Sequence, residues 1–535
     1  MRARAMHRTY LAVLLALALV LSACGDDDTT DDGSAAGPDD GATTTAPADP
    51  EAEGDPVPGG TIRYGAYADA TGFDPAGRAG AGHHLWPIYD TLVRLDDEGE
   101  PQPFLAESIE SEDLQTWTMT LREGVQFHDG TPLDAEAVVF NINRHKDPAN
   151  ASPAAAELGP VQSVEAVDEL TVEFSLEYPV AAFPVVFIGQ AGMIASPTAV
   201  EASGEDYAMN PVGAGPFEFV EWLPDERAVY TKNENYWQEG LPYADELVIL
   251  PRPDTETRQE SVLTGDVDAA WQITVAEIRE AQDNDAVDVY LRQGNGAEGI
   301  LMQVTRPPFD DIRMRQMMAH SLNYDVISDV RFGGDMQRAY SPIGPDSPFY
   351  RDTSDIYPDY DPEAAKALID EYVADGGDPN FTFAAPNTPD RIIFGEMVQQ
   401  FWADLGLNVE LEFLDITEYV ERVLYAADFQ AAINTMPAFP HPYPNLFNNL
   451  ISESPTNFGR YASEEMDELL VTARSSTDEQ ERIEAWQEVQ TLLAEDLPWA
   501  WYARNATALI VQPTLHGVFF APNGVPYFNE AWIES

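Results

Sequence analysis

Eight histidines and one cysteine are the side chains of this 535-residue chain best suited to hold a metal ion or attack a carbonyl group. Their spacing fits neither task. A zinc peptidase helix carries His-Glu-x-x-His, which sets two imidazoles one turn apart with a general base between them, and no such run occurs. A nucleophile elbow needs Gly-x-Ser-x-Gly, which is also absent. Gly77, Gly80 and Gly82 lack the strand-to-helix placement of a dinucleotide loop and read as a turn. His83 and His84 are adjacent, so their side chains diverge instead of converging on one ion. Aspartate and glutamate together number 93, too many for any pair to stand out as a general acid and base. The expectation is binding without chemistry, with no cofactor, no metal centre and no catalytic residue.

A neutral stretch stands out instead. Phe429 to Ser452 contains no Asp, Glu, Lys or Arg, although 23% of the chain is charged. Pro437, Pro440, Pro442 and Pro444 forbid a helix at its start and disfavour a regular strand, so an irregular loop in protected surroundings is expected. Phe439, His441 and Tyr443 lie within it, with amides nearby. Stacking faces and neutral donors suit a ligand held partly through its backbone, which makes this segment the expected wall of a binding cleft. His441 is the one histidine retained as a candidate ligand to a metal.

Two stretches of alternating strand and helix must position that wall. The first runs strand (247–250), helix (255–263), strand (267–271), helix (276–282), strand (287–291); the second runs strand (381–385), helix (390–405), strand (407–413), helix (418–426), strand (429–434). Two βαβαβ units predict two α/β lobes with parallel sheets. Between Tyr64 and the first unit, strands at 116–121, 161–167 and 170–176 with a helix at 134–144 predict an inserted α+β subdomain. After the second unit come helices at 464–474 and 478–495, then strands near 499–503 and 508–511 that return to the first lobe. In open α/β sheets ligands settle beyond the carboxyl ends of strands, which nominates Trp271, Asn387, Asn434, Thr435 and Met436.

The charge balance excludes one class of partner. With 28 Lys plus Arg against the 93 acids, the net charge is −65 and nucleic acid would be repelled. Such charge keeps a protein dispersed. At the start of the chain Arg2, Arg4 and Arg8 precede an apolar run from Tyr10 to Leu21, too short to span ~30 Å of hydrocarbon and shaped like a signal peptide. It ends in Leu21-Ser22-Ala23-Cys24, which resembles the bacterial lipobox and makes Cys24, the sole cysteine, the expected lipidation site. From Gly25 to Pro58 large apolar residues are almost missing, as in an acidic, disordered tether.

Seven segments in order carry a wider likeness: Gly59-Gly60-Thr61-Ile62-Arg63, Ile88-Tyr89-Asp90-Thr91-Leu92-Val93, Pro103-Phe104-Leu105-Ala106-Glu107-Ser108, Thr116-Trp117-Thr118 running on to Gly124-Val125-Gln126-Phe127-His128-Asp129-Gly130-Thr131-Pro132, Pro211-Val212-Gly213-Ala214-Gly215-Pro216-Phe217, Gly265-Asp266-Val267-Asp268, and Pro308-Phe309 to Arg315. With these the sequence resembles the family 5 solute-binding proteins, the peptide and nickel binders of bacterial ABC importers. The resemblance implies a two-lobed clamp of the type II periplasmic-binding-protein kind with an inserted third subdomain. It divides the chain into signal peptide (1–23), lipidated tether (24–58), domain I (59–95, 210–297 and 506–535), domain II (96–209) and domain III (298–505). It also implies a monomer that closes by hinge motion, near 296–299 and 503–508, and hands its ligand to ABC permease subunits with cytoplasmic ATPases.

By position in the family, Tyr67, Asp69 and Phe73 belong to a loop that faces ligand, Trp501 and Tyr502 to a strand that reaches the cleft, and His128 to a structural turn. Peptide-binding relatives pair an aspartate in the proline-rich loop with the ligand's ammonium group, but no acid lies between Asp428 and Glu453. A peptide is the first expectation for the ligand. A neutral oligosaccharide, a nickel complex and a sensor role stay open.

Overall fold

The computed structural model describes residues 55–77, 82–436 and 441–534. The expected signal peptide, Cys24, most of the tether and Phe439 lie outside the described residues. Contacts gather Pro47–Ser535 into one compact unit, to which every described residue belongs.

After β1 (Thr61–Ala66) the chain enters an α+β insertion: β2 (Ala106–Glu110), β3 (Thr116–Leu121), α1 (Ala135–Lys146), β4 (Val161–Ala166) and β5 (Thr171–Leu176). Its four strands form a sheet of order β2-β3-β5-β4. The Asp134 carboxylate caps α1 by accepting from Ala137 N. The chain then returns through β6 (Phe217–Leu223), β7 (Arg227–Lys232), β8 (Glu246–Pro251), α2 (Thr255–Leu263), β9 (Ala269–Gln272), α3 (Val275–Gln282) and β10 (Asp288–Met302). The second lobe follows with α4 (Tyr324–Phe332), β11 (Phe381–Pro386), α5 (Pro389–Asp404), β12 (Val409–Leu414), β13 (Ala431–Met436), α6 (Asn445–Leu450), α7 (Glu464–Ser475) and α8 (Glu479–Asp496) before β14 (Trp499–Val511).

Ten strands make one mixed sheet of order β12-β11-β13-β10-β14-β9-β1-β8-β7-β6. The second lobe keeps the parallel arrangement expected of its βαβαβ unit, with β11 parallel to both β12 and β13. In the first lobe β1 is parallel to β8 and β9, but β9 and β10 do not meet. The antiparallel β14 lies between them, so the all-parallel expectation fails at that point.

Two further expectations change. The segment from 499 to 511 is one continuous strand of 13 residues, not two, because no Gly or Pro interrupts it and β10 pairs along most of its length. β10 likewise runs for 15 residues, well past the expected strand at 287–291 and on through Gly296 and Gly299. At ~3.3 Å per residue these strands span about 40–50 Å and serve both lobes. One end of β14 pairs with β9 (508–511) and one end of β10 pairs with β13 (297–302). The β10–β14 register slips between Gln293 and Ala297 and again between Glu298 and Gly299, where neighbours change from one lobe to the other.

Apolar burial follows the same division. One core (Ile62, Tyr64, Leu247, Leu509) belongs to the first lobe. A larger one runs through the insertion and the second lobe, from Trp117 and Phe183 to Trp402 and Trp499. Among the described residues no helix is long and apolar enough to cross a membrane.

Candidate binding cavity

The neutral segment reaches a cavity of about 240 Å³ that collects residues from distant parts of the chain. Trp86 and Asn523 come from the first lobe, Glu157, Val185, Ile188 and Gly189 from the insertion, and His441, Tyr443, Pro444 and Asn445 from the second lobe. Such a volume lies near the ~300 Å³ lower end of small-ligand pockets. The insertion and the second lobe also meet where Ala181 N donates to the Arg474 carbonyl at 2.7 Å. The Arg474 guanidinium covers the rings of Tyr178 at 4.0 Å and Phe447 at 5.1 Å.

His441 is fixed from two sides. Its Nδ1 accepts the Tyr443 N–H at 3.0 Å, and its ring meets Phe349 edge-on at 4.7 Å. The same Nδ1 lies 3.3 Å from the Tyr443 carbonyl oxygen, and burial holds the His441 pKa down at about 4, so the imidazole is neutral near pH 7. Tyr443 is buried edge-on against Phe447 at 5.4 Å, and burial raises its hydroxyl pKa. The irregular loop expected here ends in the short α6, which starts directly after Pro444.

The acid of the cavity sits in a tight turn ahead of β4. Leu158 N donates to the Ala154 carbonyl at 3.1 Å and Gly159 N to that of Ala156 at 3.2 Å, with the Leu158 side chain fully buried. Desolvation pushes the Glu157 carboxyl up to about 7. Nothing in the sequence marks this glutamate among so many acids, and it follows no strand of the large sheet. Trp86, Val185, Ile188 and Asn523 were missed for the same reason, whereas Asn445 lies inside the neutral segment.

His441 and Tyr443 are the nominated residues that the structure brings to this cavity. Tyr67 and Trp271 form a separate aromatic group in the first lobe, 4.7 Å apart, with His83 at 5.3 and 5.6 Å from them; Trp271 Nε1 donates to the Gly524 carbonyl, next to the cavity residue Asn523. Phe73 is fully buried against Phe219 and Trp222. Asp69 accepts from Trp222 Nε1 at 3.0 Å and Asp225 N at 2.6 Å, which engages both carboxylate oxygens in holding its own loop. Asn387 is exposed, Asn434 pairs in the ladder with Gly299, Thr435 is exposed and accepts from Arg391, and Met436 is buried.

Trp501 and Tyr502 lie in the core. Trp501 is 1% exposed and stacks on Trp499 at 5.4 Å, as strand alternation requires. Tyr502 packs on Phe394 and donates to Glu298 at 2.7 Å. Around that glutamate, Arg331 and Arg391 approach within 2.8 and 3.0 Å. Among the described residues no group of three or more His, Cys, Asp or Glu could hold a metal ion.

Two α/β lobes joined by two long strands, with an insertion that helps to wall a cavity, define the two-lobed class of solute-binding proteins. The chain belongs to the bacterial extracellular solute-binding proteins, family 5, whose model matches residues 100–458. It is thereby a solute-binding protein of an ABC importer. The glutathione-binding protein GsiB of Pectobacterium atrosepticum is 28% identical over 465 residues, covering 83% of this chain and 88% of that protein. GsiB of Escherichia coli K12 is 27% identical over 456 residues, covering 80% and 86%. Among solved structures, the DppA protein of Helicobacter pylori in complex with the peptide STSA aligns with a TM-score of 0.76 and 25% identity, over 90% of this chain and 99% of that one. The dipeptide-binding protein of Pseudoalteromonas sp. SM9913 in complex with Met-Leu gives 0.75 and 22%, over 89% and 100%, a likeness of fold.

Proposed function

We propose that this chain captures a small peptide between its lobes, performs no reaction on it, and delivers it to an ABC permease driven by cytoplasmic ATPases. The observation that carries the reading is the cavity of about 240 Å³, whose walls come from both lobes and the insertion. Closing the lobes completes such a site and opening them dismantles it, so ligand and closed form stabilise each other. In this reading the domain limits are those that the family resemblance implies, and the hinge is β10 and β14, the strands that pair in both lobes. The names of the relatives, which bind glutathione, a dipeptide and a tetrapeptide, favour a peptide of a few residues.

The protein acts as a monomer held at the outer face of the cell membrane by lipid on Cys24. The lipobox-like Leu21-Ser22-Ala23-Cys24 supports the anchor, and the net charge of −65 excludes nucleic acid as a partner. Mass spectrometry of small molecules released from the native protein by denaturation tests the ligand. Peptides of two to four residues are expected; a glycan or a metal complex in their place would overturn the peptide assignment. For the anchor, Cys24→Ala should move the protein from the membrane fraction to the culture fluid or periplasm. An unchanged distribution would remove the lipid from the reading.

A further inference from the structure

We propose that Glu157 is the recognition group for a positively charged amine, so that the cavity selects ligands bearing an ammonium group, which in a peptide is the free amino terminus. This rests on the capture reading above and names the chemistry that such a ligand must bring.

Four observations converge on this carboxylate. Glu157 is the one formal charge among the described residues lining the cavity, which otherwise offers apolar surface from Trp86, Val185 and Ile188 and neutral polar groups from Asn445 and Asn523. It has no hydrogen-bond or ion-pair partner among the described residues; desolvation raises its pKa, and the group it acts on electrostatically is the Tyr443 hydroxyl of the same cavity. The two deeply buried acids Asp90 and Glu298 are, by contrast, satisfied: Asp90 accepts from Arg94, Tyr236 and Trp237, and Glu298 is held by two arginines. Finally, the second-lobe part of the lining comes from a segment with no Lys or Arg from Phe429 to Ser452, and the nearby Arg474 and Arg482 act on Tyr443 and His441 and not on the acid.

An unpaired carboxylate in a partly dry cavity is unfavourable until a counter-charge or a proton reaches it. An arriving ammonium supplies charge and donors together, as a charge-assisted hydrogen bond. The strongly negative field of the whole protein also concentrates cations near the cleft and disfavours anionic ligands. The neutral polar side chains of the same cavity, His441, Asn445 and Asn523, suit the amides of a ligand, which matches a peptide whose amine is read by Glu157 and whose backbone is read by the neutral wall.

The test exposes the compact unit from Pro47 onward to a pool of mixed-sequence di- and tripeptides, prepared with free and with N-acetylated termini, and reads retention by native mass spectrometry. Wild type is expected to prefer free termini by about tenfold or more, the worth of one charge-assisted hydrogen bond. Glu157→Gln should lose that preference and bind free termini about tenfold more weakly, while unfolding at the same temperature as wild type or higher. Because the contrast between free and acetylated peptides is read on wild type, it does not depend on any variant folding. Equal retention of both forms by wild type, or free-terminus binding by Glu157→Gln as strong as by wild type, would overturn the anchor and leave capture standing. Retention of no peptide from the pool, together with no bound solute in native preparations, would sink capture itself and the anchor with it. Displacement by 1,4-diaminobutane as effective as by peptides would support the ammonium site and move the ligand class to simple amines.

Discussion

Gly299 and Trp501 face one another across the two long strands with no room for a methyl group between them: a Cβ on Gly299 would lie 2.7 Å from the indole Cε3 and 3.1 Å from the Ala500 carbonyl oxygen. The ring cannot retreat, because it is stacked on Trp499 and 1% exposed. Gly299→Ala is therefore expected to cost about 1–3 kcal/mol through overpacking, read as a lower thermal unfolding midpoint. Trp501→Ala should cost about 3–5 kcal/mol by leaving a cavity in the core. If either variant matched wild type, the contact between β10 and β14 would be looser than the geometry requires.

One residue earlier, Glu298 accepts from Arg331, Arg391 and Tyr502. Burial pushes its pKa up, but the two guanidinium groups outweigh burial and hold it at about 2. Its folded pKa thus lies below the ordinary 4.5, so its stabilisation is complete above about pH 4.5 and drains away as pH falls toward 2. Glu298→Gln leaves two arginines short of a counter-charge and should lose about 3 kcal/mol at pH 7. Chemical unfolding of both proteins at pH 7 and pH 3 checks this: the gap should narrow at the lower pH, and a constant gap would rule out the ion cluster as its source.

Periodicity made the lobes legible. Alternating apolar residues of the 246–251 strand bury every second side chain, and the 381–436 unit folds in the order its pattern predicts. What periodicity could not convey is which strands become neighbours: that β14 separates β9 from β10 depends on the return of the chain over 200 residues later, which local pattern does not record. The site was half legible for a related reason. The missing charge around His441 and Tyr443 is a local compositional signal, and both line the cavity. Glu157, Trp86 and Asn523 reach it from separate parts of the chain, and a single acid among 93 carries no signal of its own. Trp501 and Tyr502 show the converse, since an aromatic strand reads alike whether it faces a cleft or a core.

The register slips of β10 against β14 fall where partners change from one lobe to the other, and Gly296 there has φ of +113°. That conformation is open to glycine and strained for other residues, so Gly296→Val should cost about 1–3 kcal/mol and bias the lobe angle. Small-angle scattering of the compact unit should show a smaller radius of gyration with bound ligand in wild type, and a smaller change in the variant. Unchanged dimensions with a tightly bound ligand would count against closure about these strands.

The cavity also sets how capture depends on pH. With its pKa near 7, folded and unliganded Glu157 keeps a proton that the unfolded chain gives up near 4.5, so its contribution to stability falls as pH rises from 4.5 through 7. An ammonium ligand needs the ionised form and reverses that trend. Affinity should therefore climb by roughly tenfold per pH unit below 6, level off near 7, and fall only when the amine of the ligand loses its own proton, at about 8 for an α-amino group. The other groups around the site are His441, Tyr443, Tyr178, Arg474 and Arg482. Of these, His441 is of the type that titrates near neutrality, and burial keeps it down at about 4, outside the window. Calorimetric titration between pH 5 and 8 separates the contributions: Glu157→Gln should give a flat profile up to pH 7, with His441→Gln retaining the slope. A slope that survived in Glu157→Gln would assign the titration to another group and remove the carboxylate from ligand recognition.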